Sequence, residues 1–415
     1  MVTDASGYQR TVLPNGLRIV SERISNVRSV ALGVWVETGS RDESPEINGV
    51  SHFLEHMVFK GTARRSAREI AESIESVGGS LNAFTTKELC CFSAHVLDED
   101  LELAIDVLSD LLLHALLDEE DIEREKQVIL SEIRQFEETP EEVVFERFYQ
   151  AAFDGHPLAQ EIHGTPQNVE RMNRETLLTY FRQHYTANRL VIAAAGNLEH
   201  ERLVDLVEAH FQDVPDGGAR HLAAVPPFRP NELRFVDRNC QQVHVCVGGR
   251  GLPYASAQKF PLLVLDTLLG GGMSSRLFQE VREARGLAYS IYSFADFLFD
   301  TGTFGVYAAT DLSAVEETLG LIHRQLDAVR DGGISEQEVE RTKRQLKGSL
   351  LLGLENTGSR MSRLARMEIY LGEYVSLDEV AAAIDAVRTE QVAEVASWLL
   401  DRSNRLTVLL LPEAG

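Results

Sequence analysis

Asp118 to Glu138 reads DEEDIEREKQVILSEIRQFEE, and its opening residues return in altered form as SEQEVERTK at Ser335 to Lys343, an offset of 217 (335 − 118). Asn188-Arg-Leu likewise returns as Asn404-Arg-Leu, at 216 (404 − 188). Two matches at nearly one offset predict an internal duplication. At 415 residues the chain also exceeds what one ordinary core holds. Between the copies lies DVPDGGARHLAAVPPFRP, Asp213 to Pro230, rich in Pro and Gly and without an apolar period, which reads as a linker. The expected organisation is a first domain over 1–212, a linker over 213–230 and a second domain over 231–415. Each half is expected to be an α+β unit, a mostly antiparallel sheet with helices on one face.

Around the repeated segment, β-branched alternation from Leu17 to Gly39 predicts two strands, with further strands at Ser80 to Thr85, Cys91 to Leu97 and the apolar run Asn188 to Ala195. Apolar residues at helical spacing predict helices over Glu99–Leu116, Glu119–Glu137, Glu141–Ala152 and Arg174–His184. Ser66 to Glu69 forms a capping box for another helix, which Gly78-Gly79 stops.

The segment Gly49 to Phe59 predicts a helix carrying His52-Phe53-Leu54-Glu55-His56. Positions i and i+4 share a helix face, so both imidazoles reach one metal while Glu55 stands beside them. By itself such a pentapeptide also arises as the polar edge of an amphipathic helix. In the repeated segment, Glu125 and Glu132 are seven residues apart, two turns along one face, and Glu132 completes a His, His, Glu set that leaves a fourth position open. Glu125 then supports a ligand histidine from behind, and Glu55 is placed to move protons. The duplication tests this set. An offset of 217 aligns Thr342 with Glu125 and Ser349 with Glu132, and no histidine lies between Ala255 and Gly286. The helical scaffold is repeated and the ligands are not, as expected where those side chains serve chemistry.

Composition bounds the partners. Hydrophobic residues at 44% and charged residues at 25% are those of a soluble globular protein. Lys+Arg 40 against Asp+Glu 64 gives −24, which argues against nucleic acid or an anionic membrane and suits a cationic ligand. The N-terminal residues show no secretory or transit pattern, and no apolar run is long enough to span a membrane. Cys90, Cys91, Cys240 and Cys246 lack C-x-x-C spacing. Adjacent Cys90 and Cys91 point to opposite faces of a strand, and the four read as reduced core or surface thiols in a reducing cytosol, so the expected location is cytoplasmic.

HFLEH, the E-x6-E within REKQVILSE, SLNAFTTKE and RLFQEVREARGLAYS together resemble the pitrilysin-type zinc peptidases, whose signature is the inverted H-x-x-E-H order. The resemblance is greatest to the β subunit of the mitochondrial processing peptidase and its bacterial relatives, and the 76 positions from His56 to Glu132 (132 − 56) suit that branch. It implies one Zn2+ per chain held by His52, His56 and Glu132, with Glu55 as general base and Glu125 as an accessory glutamate. It implies two similar domains facing each other like a clamshell, with substrate extended against an edge strand that matches Ser80 to Thr85 and contacted by Asn82 and Ala83. Arg282 and Tyr289 match a pair that reaches the substrate backbone and the developing oxyanion. Glu142 and Glu146 match acidic positions that grip an arginine upstream of the cut, and Phe59 matches an apolar wall for the residue after it. Gly270-Gly-Gly272 resembles a shortened glycine-rich loop of the non-catalytic partner subunit, although three glycines also end helices. His156 and His163 fall outside the motif and are expected to be structural loop residues.

The implied function is a zinc endopeptidase acting on extended, basic, presequence-like peptides. The zinc motif and the Arg/Tyr pair occur in one chain, so the expected assembly is a homodimer. The alternatives are a non-catalytic structural subunit of this fold and the catalytic half of an obligate heterodimer.

Overall fold

The computed structural model describes residues 7–413 and divides into two compact units. The first holds the described residues up to Ile133, Gln160–Ala223 and Gly353–Tyr374; the second holds Arg134–Ala159, Ala224–Leu352 and the described residues from Val375 on. In the first, β1 (Tyr8–Val12), β2 (Arg18–Arg23), β3 (Ser29–Val36), β4 (Ser80–Thr85), β5 (Cys90–Leu97) and β6 (Leu190–Gly196) form one sheet in the order β1-β2-β6-β3-β5-β4. In the second, β7 (Glu232–Asp237), β8 (Val243–Arg250), β9 (Ala288–Phe297), β10 (Gly302–Thr310) and β11 (Leu406–Pro412) run β7-β11-β8-β10-β9. The second order repeats the first strand for strand, without β1. The parallel pair recurs as well, β2 with β6 and β7 with β11, every other pairing being antiparallel. The duplication read from two short matches is thus a duplication of topology.

Side chains alternate across each strand. Val30, Leu32, Val34 and Val36 of β3 share a core with Phe53 and Leu54 of the motif helix and with Ile105, Leu108 and Leu111 of the helix Leu101–His114. On the opposite face Trp35 is fully buried and its Nε1–H donates to Met361 Sδ at 3.3 Å. A Cβ at Gly33 would come within 2.6 Å of the same sulfur, so only glycine permits this approach. Met361 belongs to the helix Thr357–Tyr370, which lies in the second half of the sequence. In the second unit the helix Pro140–Ala152 buries Val143, Val144 and Phe148 with Cys246, Leu406 and Val408. The two helices start 217 residues apart (357 − 140), the duplication offset. Each half therefore contributes the same helix to the other half's sheet, and the compact units differ from a contiguous division into 1–212 and 231–415. The cause lies in strands such as β3 and β6, buried on both faces, which need a second helical layer.

Residues 213–230 carry no helix or strand, but the first part is tied down. Pro215 O accepts from Ala187 N at 2.9 Å, Gly218 O from Asn188 Nδ2 at 2.9 Å, and Arg220 pairs with Asp42 at 2.6 Å. All four cysteines are free and buried, so none is a surface thiol, and Cys90 joins the core that excludes Cys91. Gly270-Gly-Gly272 ends the helix Lys259–Gly270, with Gly271 N donating to Thr267 O at 3.1 Å. Among the described residues no helix is long and apolar enough to cross a membrane.

The motif helix spans Val50–Met57, shorter than Gly49 to Phe59, because Gly49 sits at φ 99° as its N-cap and the chain tightens into a turn at Val58–Lys60. Its start is held by Glu43, a carboxylate only 3% exposed that no motif marks. Glu43 Oε2 accepts from Gly49 N at 2.7 Å and Asn48 Nδ2 at 2.8 Å, and Oε1 accepts from Ser51 N at 2.8 Å. These satisfy N–H groups that a helix N-terminus leaves unpaired. Glu43→Ala is expected to lower the unfolding free energy by about 3 kcal/mol, since it orphans several buried donors. Urea denaturation checks this, and a change within about 0.5 kcal/mol, the range of surface substitutions, would show that the helix start is held by packing instead.

Candidate active site

The motif helix and the helix Glu119–Glu137 bring the sequence-derived donors together. One ligand atom from each of His52, His56 and Glu132 lies within 4.8 Å of the others. Glu132 Oε2 is 3.3 Å from His56 Nε2 and 3.8 Å from His52 Nε2. Donors about 2.0–2.1 Å from a tetrahedral zinc stand roughly 3.3 Å apart, so this spacing needs little closing to hold the ion. The protonation states suit it too. Burial, and then the neighbouring His56 and His163, push His52 down to about 3, which keeps its imidazole neutral and its lone pair available.

Glu125 stands behind His56, as the spacing along its helix predicts. Its Oε2 accepts from His56 Nδ1 at 3.1 Å, which leaves the His56 Nε2 lone pair facing His52 and Glu132. Lys60 Nζ lies 2.6 Å from the other oxygen of this buried carboxylate and balances its charge. Lys60 is part of the site without belonging to any motif. Glu55 is held by Thr85, whose Oγ1–H donates to Glu55 Oε2 at 2.6 Å. Burial pushes the Glu55 carboxyl up, while the Thr85 hydroxyl and His56 pull it down. Thr85 ends β4, so the edge strand also holds Glu55 in place.

β4 pairs only with β5 among the described residues, which leaves its other edge open. Beside it runs a cleft of about 510 Å³ whose lining includes Glu55, His56, Phe59, Ile70, Leu81 and Ala83. Phe59 packs near Phe92 and shows part of its ring to this cleft, so it serves both core and wall. Asn82 is exposed, and its Oδ1 accepts from Ala83 N at 3.0 Å.

Glu142, Glu146, His156, Arg282 and Tyr289 belong to the second unit. Glu142 and Glu146 lie one turn apart on the helix Pro140–Ala152, Glu142 exposed and Glu146 half-buried. Arg282 sits in a π-helical turn, Phe278–Glu283, with its guanidinium 4.6 Å from the centroid of the Tyr289 ring on β9. Tyr289 is 78% exposed, so the Arg/Tyr pair is stacked and presented to solvent. His156 is a loop residue as expected, its Nδ1 accepting from Leu158 N at 3.2 Å. His163 is a loop residue too and lies outside the three-donor set, but its ring centroid is 4.7 Å from that of His52, a contact no motif marks. No sequence spacing links the two.

Comparison with known proteins gives a consistent picture. The family model "Insulinase (Peptidase family M16)" matches residues 18–166, and "Peptidase M16 inactive domain" matches residues 171–346, a stretch that contains none of the three donors. An uncharacterized zinc protease of Streptomyces coelicolor is 42% identical over 411 residues, covering 97% of this chain and 89% of its own. A probable mitochondrial-processing peptidase subunit beta of Arabidopsis thaliana is 37% identical over 413 residues, covering 96% and 77%. A solved peptidase M16 inactive domain from Pseudomonas fluorescens superposes with a TM-score of 0.92 over 98% of each chain at 19% identity, a likeness of fold.

Proposed function

This chain belongs to the M16 (insulinase) family of zinc peptidases, and from that premise we propose that it is an endopeptidase that cuts extended, basic, presequence-like segments. Its cofactor is zinc, one ion per chain. The observation that carries the proposal is the convergence of His52, His56 and Glu132 in one unit with the open edge of β4 and Glu55 between them.

His52, His56 and Glu132 would hold the ion, which when bound supplies Lewis acidity toward a carbonyl and acidifies water. Glu55 takes the proton of the attacking water and passes it to the leaving amine, oriented throughout by Thr85. The open edge of β4 offers backbone hydrogen bonds irrespective of side chain, with Asn82 and Ala83 at the contact, which suits many unfolded substrates. For a peptide strand to pair there, the Asn82 side chain gives up the Ala83 N–H it occupies. Phe59 and Leu81 favour an apolar residue after the cut. Arg282 and Tyr289 supply donors to the substrate backbone and developing oxyanion, and Glu142 and Glu146 bind an upstream arginine. The chain works as a homodimer, and its four reduced, buried thiols suit the cytoplasm.

The test is cleavage of an arginine-containing, presequence-like peptide by the purified chain across ionic strengths. KM is expected to rise about fivefold between roughly 0.05 and 0.5 M salt, as the screening length shortens severalfold. A salt-independent KM would remove the role of Glu142 and Glu146 in binding arginine. Gel filtration alongside the assay separates an active homodimer from a chain that needs a second subunit.

A further inference from the structure

The two imidazoles of the metal set are supported differently. His56 has an acceptor, Glu125, on its far nitrogen. His52 has none: among the described residues its buried Nδ1 has no hydrogen-bond partner. Metal-binding histidines are ordinarily oriented by a hydrogen bond from that nitrogen, so something else must fix the ring. His52 contacts two rings edge to face. One is its fellow donor His56, with centroids at 4.7 Å, and the other is His163, at 4.7 Å with planes at 78°.

The segment that carries His163 is clamped to the start of the motif helix. Asn48 Nδ2, beside the helix start, donates to Glu161 O at 2.8 Å, and from the turn between β4 and β5 Lys87 Nζ donates to Gln160 O at 2.7 Å. Gly49 and Gly164, both in the left-handed region, meet at backbone contact. A Cβ on Gly49 would lie 2.7 Å from His163 O, and one on Gly164 would lie 2.3 Å from Asn48 O. Such close approach between two glycines holds the backbone of His163 in fixed register with the helix that bears His52.

We propose that His163 is a positioning residue for the metal site, whose ring, locked to the helix start, holds His52 in its ligating rotamer where Glu125 does the same for His56 by a hydrogen bond. This rests on the reading of His52 as a zinc ligand. Its consequence is kinetic: without the ring, His52 swings free of the ion more often and zinc leaves faster.

The experiment measures zinc release from the full zinc-loaded chain into excess chelator. His163→Ala is expected to release zinc about 10-fold to 100-fold faster, the range for loss of an outer support. His163→Phe, which restores a ring without its nitrogens, is expected to stay within about threefold of wild type on the same scale. The thermal midpoint of the metal-free protein should be the same in all three, which a general packing defect would not allow. Should His163→Ala fold poorly, His163→Asn carries the same expectation. Release at the wild-type rate from the Ala or Asn variant overturns the proposal. So does equal acceleration in the Phe variant, which would assign the effect to the nitrogens. Failure of the underlying reading looks different: His52→Ala would then retain zinc as firmly as wild type.

Discussion

Glu55→Gln is expected to lower kcat by about 10³-fold to 10⁴-fold, the upper part of the range for general acid–base catalysis, while zinc content stays at one per chain. The amide has the shape of the carboxylate, and its oxygen still accepts from the Thr85 hydroxyl, which stands 2.6 Å from Glu55 Oε2. What it cannot do is take a proton. The donors His52, His56 and Glu132 are untouched, so metal binding persists. KM should change little if, as proposed, extended substrate pairs with the open edge of β4 and not with Glu55. The measurement is peptide cleavage by both proteins, with metal analysis of each. A variant that keeps more than a tenth of wild-type kcat would remove Glu55 as the base. If both proteins hold zinc and neither cuts, the site is formed but the chain needs a partner or serves as a structural subunit.

The parts of this site that sequence exposes are those fixed by helical periodicity. His52 and His56 share a face because four residues are about one turn, and Glu125 and Glu132 because seven are about two. The duplication added a comparison, since the equivalent helix Glu336–Gly353 presents Thr342 and Ser349. The strand Ser80–Thr85 and the helices Glu119–Glu137 and Arg174–His184 follow from local pattern alone.

What stayed hidden depends on contacts between distant segments. Glu43 caps the motif helix from across a loop, Lys60 neutralises Glu125 from the turn after that helix, and His163 meets His52 across 111 positions (163 − 52). No spacing rule connects such pairs. The reciprocal placement of the helices Pro140–Ala152 and Thr357–Tyr370 was hidden for the same reason, although both offered a signal. Each is amphipathic, and β3 and β6 are buried on two faces, which helices on one face of the sheet do not account for, but no local pattern marks which segment supplies the second layer.

Glu132→Ala and Glu125→Gln separate a ligand from its support, and the contrast is the sharpest consequence of the geometry. Glu125 touches His56 Nδ1 and Lys60 but lies outside the donor set, so Glu125→Gln is expected to weaken zinc by about 10-fold to 100-fold. The amide oxygen still accepts from His56 and the ring keeps its orientation, but the negative charge behind it is gone, and Lys60 loses its counterion. Glu132→Ala removes a donor outright, leaving two imidazoles, and should weaken zinc by more than about 100-fold, beyond any outer-support effect. Competition with a chelator of known affinity measures both. Equal losses would mean that Glu125 enters the ligand set or that Glu132 stays out of it, because seven residues along one helix bring both carboxylates to His56. The burial of the two glutamates argues for the unequal result. Glu125 is enclosed and already committed to His56 and Lys60, whereas the Glu132 side chain is 38% exposed and, among the described residues, its ion-pair contacts are with His52 and His56.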